Sequence, residues 1–537
     1  MDDTRGRAGE SPAEDPSERP GPRSAGDAAD EPVSTRRRLR NAVLTRLGID
    51  RRALAAFRIA LGCVLLLDLV LRARDLTAFY TDAGVLPRTA LAAASPLAAR
   101  LSLHALSGAT WAVGGLFVVA GVAAVALAVG YRTRVAAAVS LVLLASLQAR
   151  NPFVLNAGDT LLLQLLGAGL LCPLGARWSV DAVRRRAADA ADSTGDAAAD
   201  RVAGPATALL LTLVVVVYLS NAVVKLRGTA WPAGEAVGRV FRLTYLHGPL
   251  GGLVPEWPAL LSAATYGWLA LVAASPLLVA AGGRVRAALA GTLLAAHLSM
   301  AFTLQIGVFS LVSATALLPV FPPFVWDRVE RAIDSRAPGG GAAASDRLRT
   351  LAARRVAPAS TSNGEEALGA VRERVAGAVP VVAAVLLVAL VAWNGMALGL
   401  VETPEPVASV ADPTEGGWDM FAPNPPSTDA LVAATATTAD GGRIDALYGD
   451  RVALDRPPSD ARAYPTARWR KFLTLLAADP DPDRVEPVLG HLCDRAAGFA
   501  DDEARPIRSV TVSTVDVDVA SGETRVAGLG TRSCRGS

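Results

Sequence analysis

The sequence predicts an all-α multi-pass membrane helical bundle of about nine spans, with a C-terminal extracytoplasmic α+β domain. Three observations carry this expectation. Of the 537 residues, 52% are hydrophobic, and the mean hydropathy is +0.35, high for a soluble chain of this length. The apolar residues are gathered in blocks such as "ALGCVLLLDLVL", "WAVGGLFVVAGVAAVALAVG", "LLLTLVVVVYL" and "VPVVAAVLLVALVAW". Each block sits in a window long enough to cross a hydrocarbon core of ~30 Å. The charge is divided as well. From Glu402 onward there are 22 Asp and Glu against 14 Lys and Arg, a net of −8, so the rest of a chain of net charge +3 carries +11. The basic part is the membrane part, and the acidic part is a polar tail.

Residues 1–50 are rich in Ser, Pro, Gly, Asp, Glu and Arg. They read as a disordered cytoplasmic segment, because such a composition cannot bury enough apolar area to fold. Its polar start is not that of a cleaved signal peptide. Residues 51–327 read as one membrane domain, 328–375 as an Arg-rich cytoplasmic linker, 376–400 as a further span and 401–537 as the acidic domain. The spans expected from hydropathy are 53–71, 109–130, 134–149, 157–174, 205–225, 258–281, 285–303, 306–322 and 376–399. Several are short or interrupted by Gly and Pro, as helices that line a cavity can be.

Arginine placement orients the chain. With Arg36, Arg37 and Arg38 in the cytoplasm, "YRTR", "VRRRAADAADSTGD", "GGRVR" and 323–375 fall on the same side, as the positive-inside rule expects. Residues 72–108, 150–156, 226–257 and the tail fall on the other. An odd span count then places the acidic domain outside. In the tail, "ALVAATATTADGGRIDALYG" alternates around an Asp-Gly turn and predicts a hairpin. "WRKFLTLLAA" and "VEPVLGHLCDRAAGF" have helical spacing. "SVTVSTVDVDV" followed by "ASGETRV" predicts a second hairpin. Cys63 and Cys172 lie in apolar segments and read as core residues. Cys493 and Cys534 share the domain on the oxidising side, where a disulfide between them and two free thiols both remain open. No His/Cys cluster points to a metal, and no basic cluster with interleaved aromatics points to nucleic acid.

Ionisable groups are costly in a bilayer and usually face a bundle interior. The candidates are few: Arg58 and Asp68 in the first span, Asp159 at the start of the fourth, Lys225 at the end of the fifth, and His297 in the seventh, with Gln305 after it. Each has a structural reading. Arg58 snorkels to the cytoplasmic face, Asp68 pairs with Arg72 one turn on, Asp159 caps its helix, His297 is a satisfied core histidine and Lys225 an interfacial anchor. Lys225 stands out because the chain has only one other lysine, Lys471; every other basic Lys/Arg position is Arg. Lysine can give up its proton, whereas arginine cannot. The chain carries no hydrolase elbow, P-loop or dinucleotide fingerprint.

Taken together and in order, several stretches resemble the HTTM domain, the membrane domain shared with vitamin K-dependent γ-carboxylases. They are "FRIALGCVLLLDLVLRARDLTAFYTDAGVLPR", "RNPFVLNAGDTLLLQLLGAGLLCPLGARWSVDAV", "YLSNAVVKLRGTAWPAGEAV" and "AHLSMAFTLQIGVFSLVSATALLPVFPPFVW". "WDMFAPNPP" after the last span is similar to a motif of prokaryotic HTTM proteins. In the carboxylases a lysine deprotonates reduced vitamin K; oxygen turns the quinol into a stronger base, which removes a glutamate γ-proton, and carbon dioxide adds to the carbanion. The resemblance places Lys225 at the lysine position and His297 at the family's later His. It implies a reduced quinone of the vitamin K or menaquinol type as cofactor, membrane lipid as surroundings and a secreted polypeptide as substrate. Where the carboxylases carry a functional His, this chain has Asp159, and its tail is shorter than theirs. The candidate catalytic residues are therefore Lys225, Asp159 and His297, on a cell-membrane protein with a cytoplasmic N-terminus. Two further classes remain open: a non-catalytic membrane-anchored binding or assembly protein, and a transporter, for which the polar residues are too few to form a path.

Overall fold

The computed structural model describes residues 41–189, 200–336, 363–409, 411–414, 417–450, 452, 463–499 and 506–534. Ten principal helices precede the C-terminal domain: α1 (Arg51–Ala73), α2 (Thr110–Val129), α3 (Thr133–Arg150), α4 (Ala157–Leu170), α5 (Pro205–Leu226), α6 (Pro258–Ala273), α7 (Gly283–Thr303), α8 (Phe309–Leu317), α9 (Pro323–Arg336) and α10 (Asn363–Ala397). Six segments among the described residues are long and apolar enough to cross a membrane: α1, α2, α3, α5, α7 and the Gly377–Ala397 part of α10.

The other three expected spans are shorter helices. Helix α4 stops at Leu170, before Pro173, and α6 stops at Ala273, before Pro276. Helix α8 runs through a 3-10 turn at Leu318–Val320 into α9 with a bend of 106°. Pro319, Pro322 and Pro323 remove backbone donors at that bend. Hydropathy alone cannot see these stops, because the residues beyond them are apolar too.

Helix α1 begins at Asp50, whose carboxylate accepts from the backbone N–H of Arg52 at 2.8 Å. Ala53, Leu54, Phe57, Leu61 and Leu65 recur at helical spacing and are buried in the bundle core. Gly62 lets α1 approach α2 closely: a Cβ there would lie 2.6 Å from the Ala128 Cβ. Arg58 does not snorkel. It is fully buried, and its guanidinium donates to the carbonyls of Leu127 (3.0 Å), Ala128 (2.8 Å) and Trp178 (2.5 Å). The first two are carbonyls in the last turn of α2, which ends at Gly130 with φ 73°. A cation there complements the carbonyl end of the helix, adding to the Gly130 N–H that already donates to the Leu127 carbonyl at 3.1 Å.

The expected disordered segment 1–50 needs correction at its end. Residues 41–47 are helical, and Ile49–Asp50 pairs antiparallel with Arg201–Val202. Burial of Ile49 in the core anchors this stretch. Residues 1–40 lie outside the described ones, as do 337–362 of the linker; its two ends belong to α9 and α10.

Helix ends gather on two faces. On one, Arg46 donates to the Ala280 carbonyl (3.3 Å), Arg286 donates to that of Arg46 (3.1 Å), and Arg52 pairs with Asp327 and Glu330. The C-terminal domain sits on the opposite face. It contains β1 (Thr428–Thr438), β2 (Arg443–Asp445), α11 (Ala467–Ala478), α12 (Pro482–Phe499), β3 (Ile507–Asp518) and β4 (Thr524–Ser533). Its antiparallel sheet has the order β2-β1-β3-β4, and β1 alternates between buried and partly buried residues. Both hairpins fall where the alternation places them.

Trp469, Phe472, Leu492, Val510 and Val512 form its core, which continues into Phe79, Tyr80, Leu86 and Leu304 from the membrane domain. Polar ties fix the contact: Trp469 Nε1 donates to Asp75 (3.2 Å), and Asp429 accepts from the Tyr245 N–H (3.1 Å) and the Thr244 hydroxyl (2.5 Å). A disulfide joins Cys493 of α12 to Cys534 just after β4. Cys172 is buried, whereas Cys63 lies on the outward face of α1 rather than in the core.

Candidate functional site

Lys225 lies in the last turn of α5, 1% exposed. Its Nζ donates to the carbonyl of Met420 at 2.6 Å and stands 4.1 Å from the centroid of the Trp231 ring. One turn earlier, Asn221 Nδ2 donates to the carbonyls of Trp418 (2.9 Å) and Met420 (3.3 Å). Beyond the helix, Trp231 Nε1 donates to the carbonyl of Phe421 (2.7 Å). Asn424 Oδ1 accepts from the backbone N–H groups of Thr229 (2.9 Å) and Ala230 (2.8 Å). A Cβ on Gly228 would lie 2.0 Å from the Pro423 carbonyl oxygen, so only glycine allows this approach. The sequence stretches "NAVVKLRGTAW" and "WDMFAPNPP" thus form one clasp, nearly two hundred residues apart in the chain. Arg227 is also engaged, donating to the Leu398 carbonyl at 2.6 Å.

The clasp forms one wall of a cavity of about 890 Å³. Asn221 and Lys225 line it from α5, Trp268 and Leu271 from α6, Met300 from α7, and Arg470 and Lys471 from α11. Both lysines of the chain therefore line the same cavity. Its walls are otherwise largely apolar, as ligand pockets commonly are.

The other two candidate catalytic residues are not in that lining. Asp159 makes a reciprocal cap with Asn156: the Asn156 side chain accepts from the Gly158 N–H (2.8 Å), and Asp159 Oδ2 accepts from the Asn156 N–H (2.8 Å). Its other oxygen pairs with Arg72 Nη2. Arg72 also binds Asp68 (2.7 Å) and the Tyr80 hydroxyl (2.8 Å), and Asp68 accepts from Arg468 of α11 at 2.6 Å. Asp159 thus belongs to a buried network of two carboxylates and two guanidiniums that ties α1 and α4 to the C-terminal domain. His297 pairs with the Tyr218 hydroxyl at 2.9 Å and packs against Trp268 and Phe309, which line the cavity.

No protein-family model, curated protein or solved structure matches this chain.

Sequence reasoning missed Met420 and Trp231 as partners of Lys225, Asn221 and Asn424 as further members of the clasp, and Arg470 and Lys471 as cavity residues. For Lys471 a signal existed, since it is the only other lysine. For the clasp, both halves stood out as motifs, but nothing within one sequence pairs them.

Proposed function

We propose that the chain is a multi-pass membrane enzyme of the HTTM type, similar to the vitamin K-dependent γ-carboxylases, with Lys225 as a base toward a lipid-soluble quinol at the outer face. The observation that supports this reading is the position of Lys225: buried, on the wall of a large apolar cavity, in a chain that uses arginine at nearly every other cationic site. A quinol ring and part of an isoprenoid tail suit the volume and the apolar lining. Lys225 and Asn221 would hold the ring oxygen, and Trp231 and Trp268 would flank it. When bound, the reduced quinone would supply two reducing equivalents, which Lys225 and the other lining residues do not have. Lysine's part is to take a proton, for which it must be neutral. Its bond to Met420 O orients Nζ in either protonation state, because both NH₃⁺ and NH₂ donate.

A second reading has its own support. Met420 O, Phe421 O and Asn424 account for much of what the Lys225 region does, so the lysine could serve only to hold the 418–424 segment in a non-catalytic membrane-anchored protein. The substitution Lys225→Arg separates the two. Arg retains a donor for Met420 O but holds its proton. The measurement is oxidation of vitamin K hydroquinone by the full chain in lipid nanodiscs, with quinone products read by mass spectrometry and folding read by size exclusion. Turnover by the native chain and its loss, by about a hundredfold or more, in a folded Lys225→Arg support the base. Equal turnover in both would leave Lys225 as a clasp.

A further inference from the structure

The cavity has a second polar end, which the quinol reading does not use. Arg470 and Lys471 are consecutive residues of α11, both partly buried and both in the lining. Neither makes an ion pair with any described residue. The Arg470 guanidinium instead stands 5.3 Å over the ring of Tyr245, another lining residue. Burial holds the Arg470 pKa below its ordinary value, and the groups that oppose this are Tyr245 and Tyr464 rather than a carboxylate. The neighbouring Arg468 makes a useful contrast, since it is buried and paired with Asp68. Among the described residues the one acidic side chain in the lining, Asp419, sits beside Met420 in the segment that covers Lys225. A partly buried cation without a counter-charge is costly, and a bound anion relieves that cost. From these two cations the lining continues to the apolar faces of α6 and α7 at Trp268, Leu271 and Met300.

We propose that this cavity binds an anionic amphiphile, with its carboxylate or phosphate against Arg470 and Lys471 and its apolar chain along α6 and α7. Both the charge and the apolar wall select the ligand. A small soluble anion would leave the wall uncovered, and a neutral lipid would leave the cations unpaired. The inference goes beyond the quinol reading and is tested by binding alone, so either can fail without the other.

Trp231 and Trp268 line the cavity and report on it. The full chain in neutral detergent is titrated with dibromostearate, whose bromines quench tryptophan, and in parallel with its uncharged methyl ester. The expected result is saturable quenching by the acid, reduced in Trp268→Phe, and half-saturation at about tenfold or more higher concentration for the ester. Arg470→Gln/Lys471→Gln should shift the acid toward the ester. If that variant fails to fold, Lys471→Gln and the acid–ester comparison in the native chain still decide. A brominated lysophosphatidate distinguishes the sources: tighter binding than the fatty acid assigns a phospholipid head group, weaker binding a free carboxylate. Equal behaviour of acid and ester overturns the proposal. So does displacement of the acid by a short soluble acidic peptide at concentrations where a neutral peptide of the same length has no effect.

Discussion

At the scale of single residues, buried charges are settled by their partners, and those partners come from distant parts of the chain. Arg58 shows why the sequence misleads. Its spacing from the cytoplasmic end suits snorkelling, but its acceptors are the end of α2 and Trp178, about seventy and more than a hundred residues away. Asp68 with Arg72 was legible from their i, i+4 spacing, whereas Asp159 and Arg468 were not. The four side chains make a neutral set, so removing one charge leaves another uncompensated. Asp159→Asn should destabilise the chain by about 3–5 kcal/mol, seen as a lower midpoint of thermal unfolding in detergent. Asp159→Asn/Arg72→Met, which removes charge in balance and leaves Asp68 with Arg468, should be milder than the single variant. A double variant worse than the single would refute this account of the network. His104 makes a pH prediction. It lies between α1 and α2, buried, with Nδ1 2.7 Å from the Ser146 hydroxyl and no partner for Nε2 among the described residues. Burial, with Arg150 and Arg72 nearby, lowers its pKa from 6.5 to about 4. The unfolded chain then takes a proton that the fold refuses. The neutral ring's contribution is complete above pH 6.5 and is lost as pH falls from 6.5 toward 4. The midpoint difference between the native chain and His104→Gln should shrink over that window; a constant difference would show that His104 does not titrate so.

At the scale of elements, composition located every long helix but not every end. The apolar blocks contain α1, α2, α3, α5 and α7 to within a few residues, because a membrane-length helix needs an unbroken apolar run. The short helices α4, α6 and α8 were overextended, because the apolar breaks at Pro173, Pro276 and Pro322, with the helical turns Leu277–Ala280 and Leu318–Val320 beside the last two, are continuous helix to a hydropathy window. In the C-terminal domain both hairpins and both helices were readable, since period-2 and period-3.6 patterns differ over a few residues. The geometry adds the link between Cys493 and Cys534, whose Cα atoms lie 5.6 Å apart and 41 residues apart in sequence. It fastens the end of the exposed edge strand β4 to α12. Cys493→Ser/Cys534→Ser should lower the stability of the domain by on the order of 2–4 kcal/mol. The native chain should also migrate more slowly on a denaturing gel after reduction. Two thiols that react with maleimide in the unreduced, denatured native protein would remove the bridge.

At the scale of the whole molecule, the helix ends meet on two opposite faces. The C-terminal domain packs against residues following α1 (Phe79, Tyr80), the end of α3 (Leu147), residues after α5 (Leu243, Leu246) and Leu304 after α7. The opposite face joins Arg46 to Ala280 after α6 and to Arg286 at the start of α7, and the start of α1 to residues 327 and 330 after α8. Successive helices, the short ones included, therefore run alternately between two faces, and α10 ends on the domain side, where Leu398 meets Arg227. Counting α4, α6 and the bent α8–α9 pair gives nine traverses. Counting the bent pair alone with the six long helices gives seven, and the six alone would put both ends of the chain on one side. The face away from the domain carries Arg46, Arg52, Arg177 and Arg286, and by the positive-inside rule such a cluster is expected in the cytoplasm. The disulfide asks for the oxidising side for the domain. From these contacts we propose an outer C-terminal domain, which requires an odd number of crossings if the N-terminus is cytoplasmic. A cysteine placed at exposed Asp483, in a chain whose Cys63 is changed to Ala, should react with an impermeant maleimide in intact cells, whereas one placed at exposed Arg132 should react only after lysis. The reverse pattern would invert the molecule and move the Lys225 cavity to the cytoplasmic face. Labelling of both sites in intact cells would mean an even number of crossings between them and exclude the nine-span arrangement.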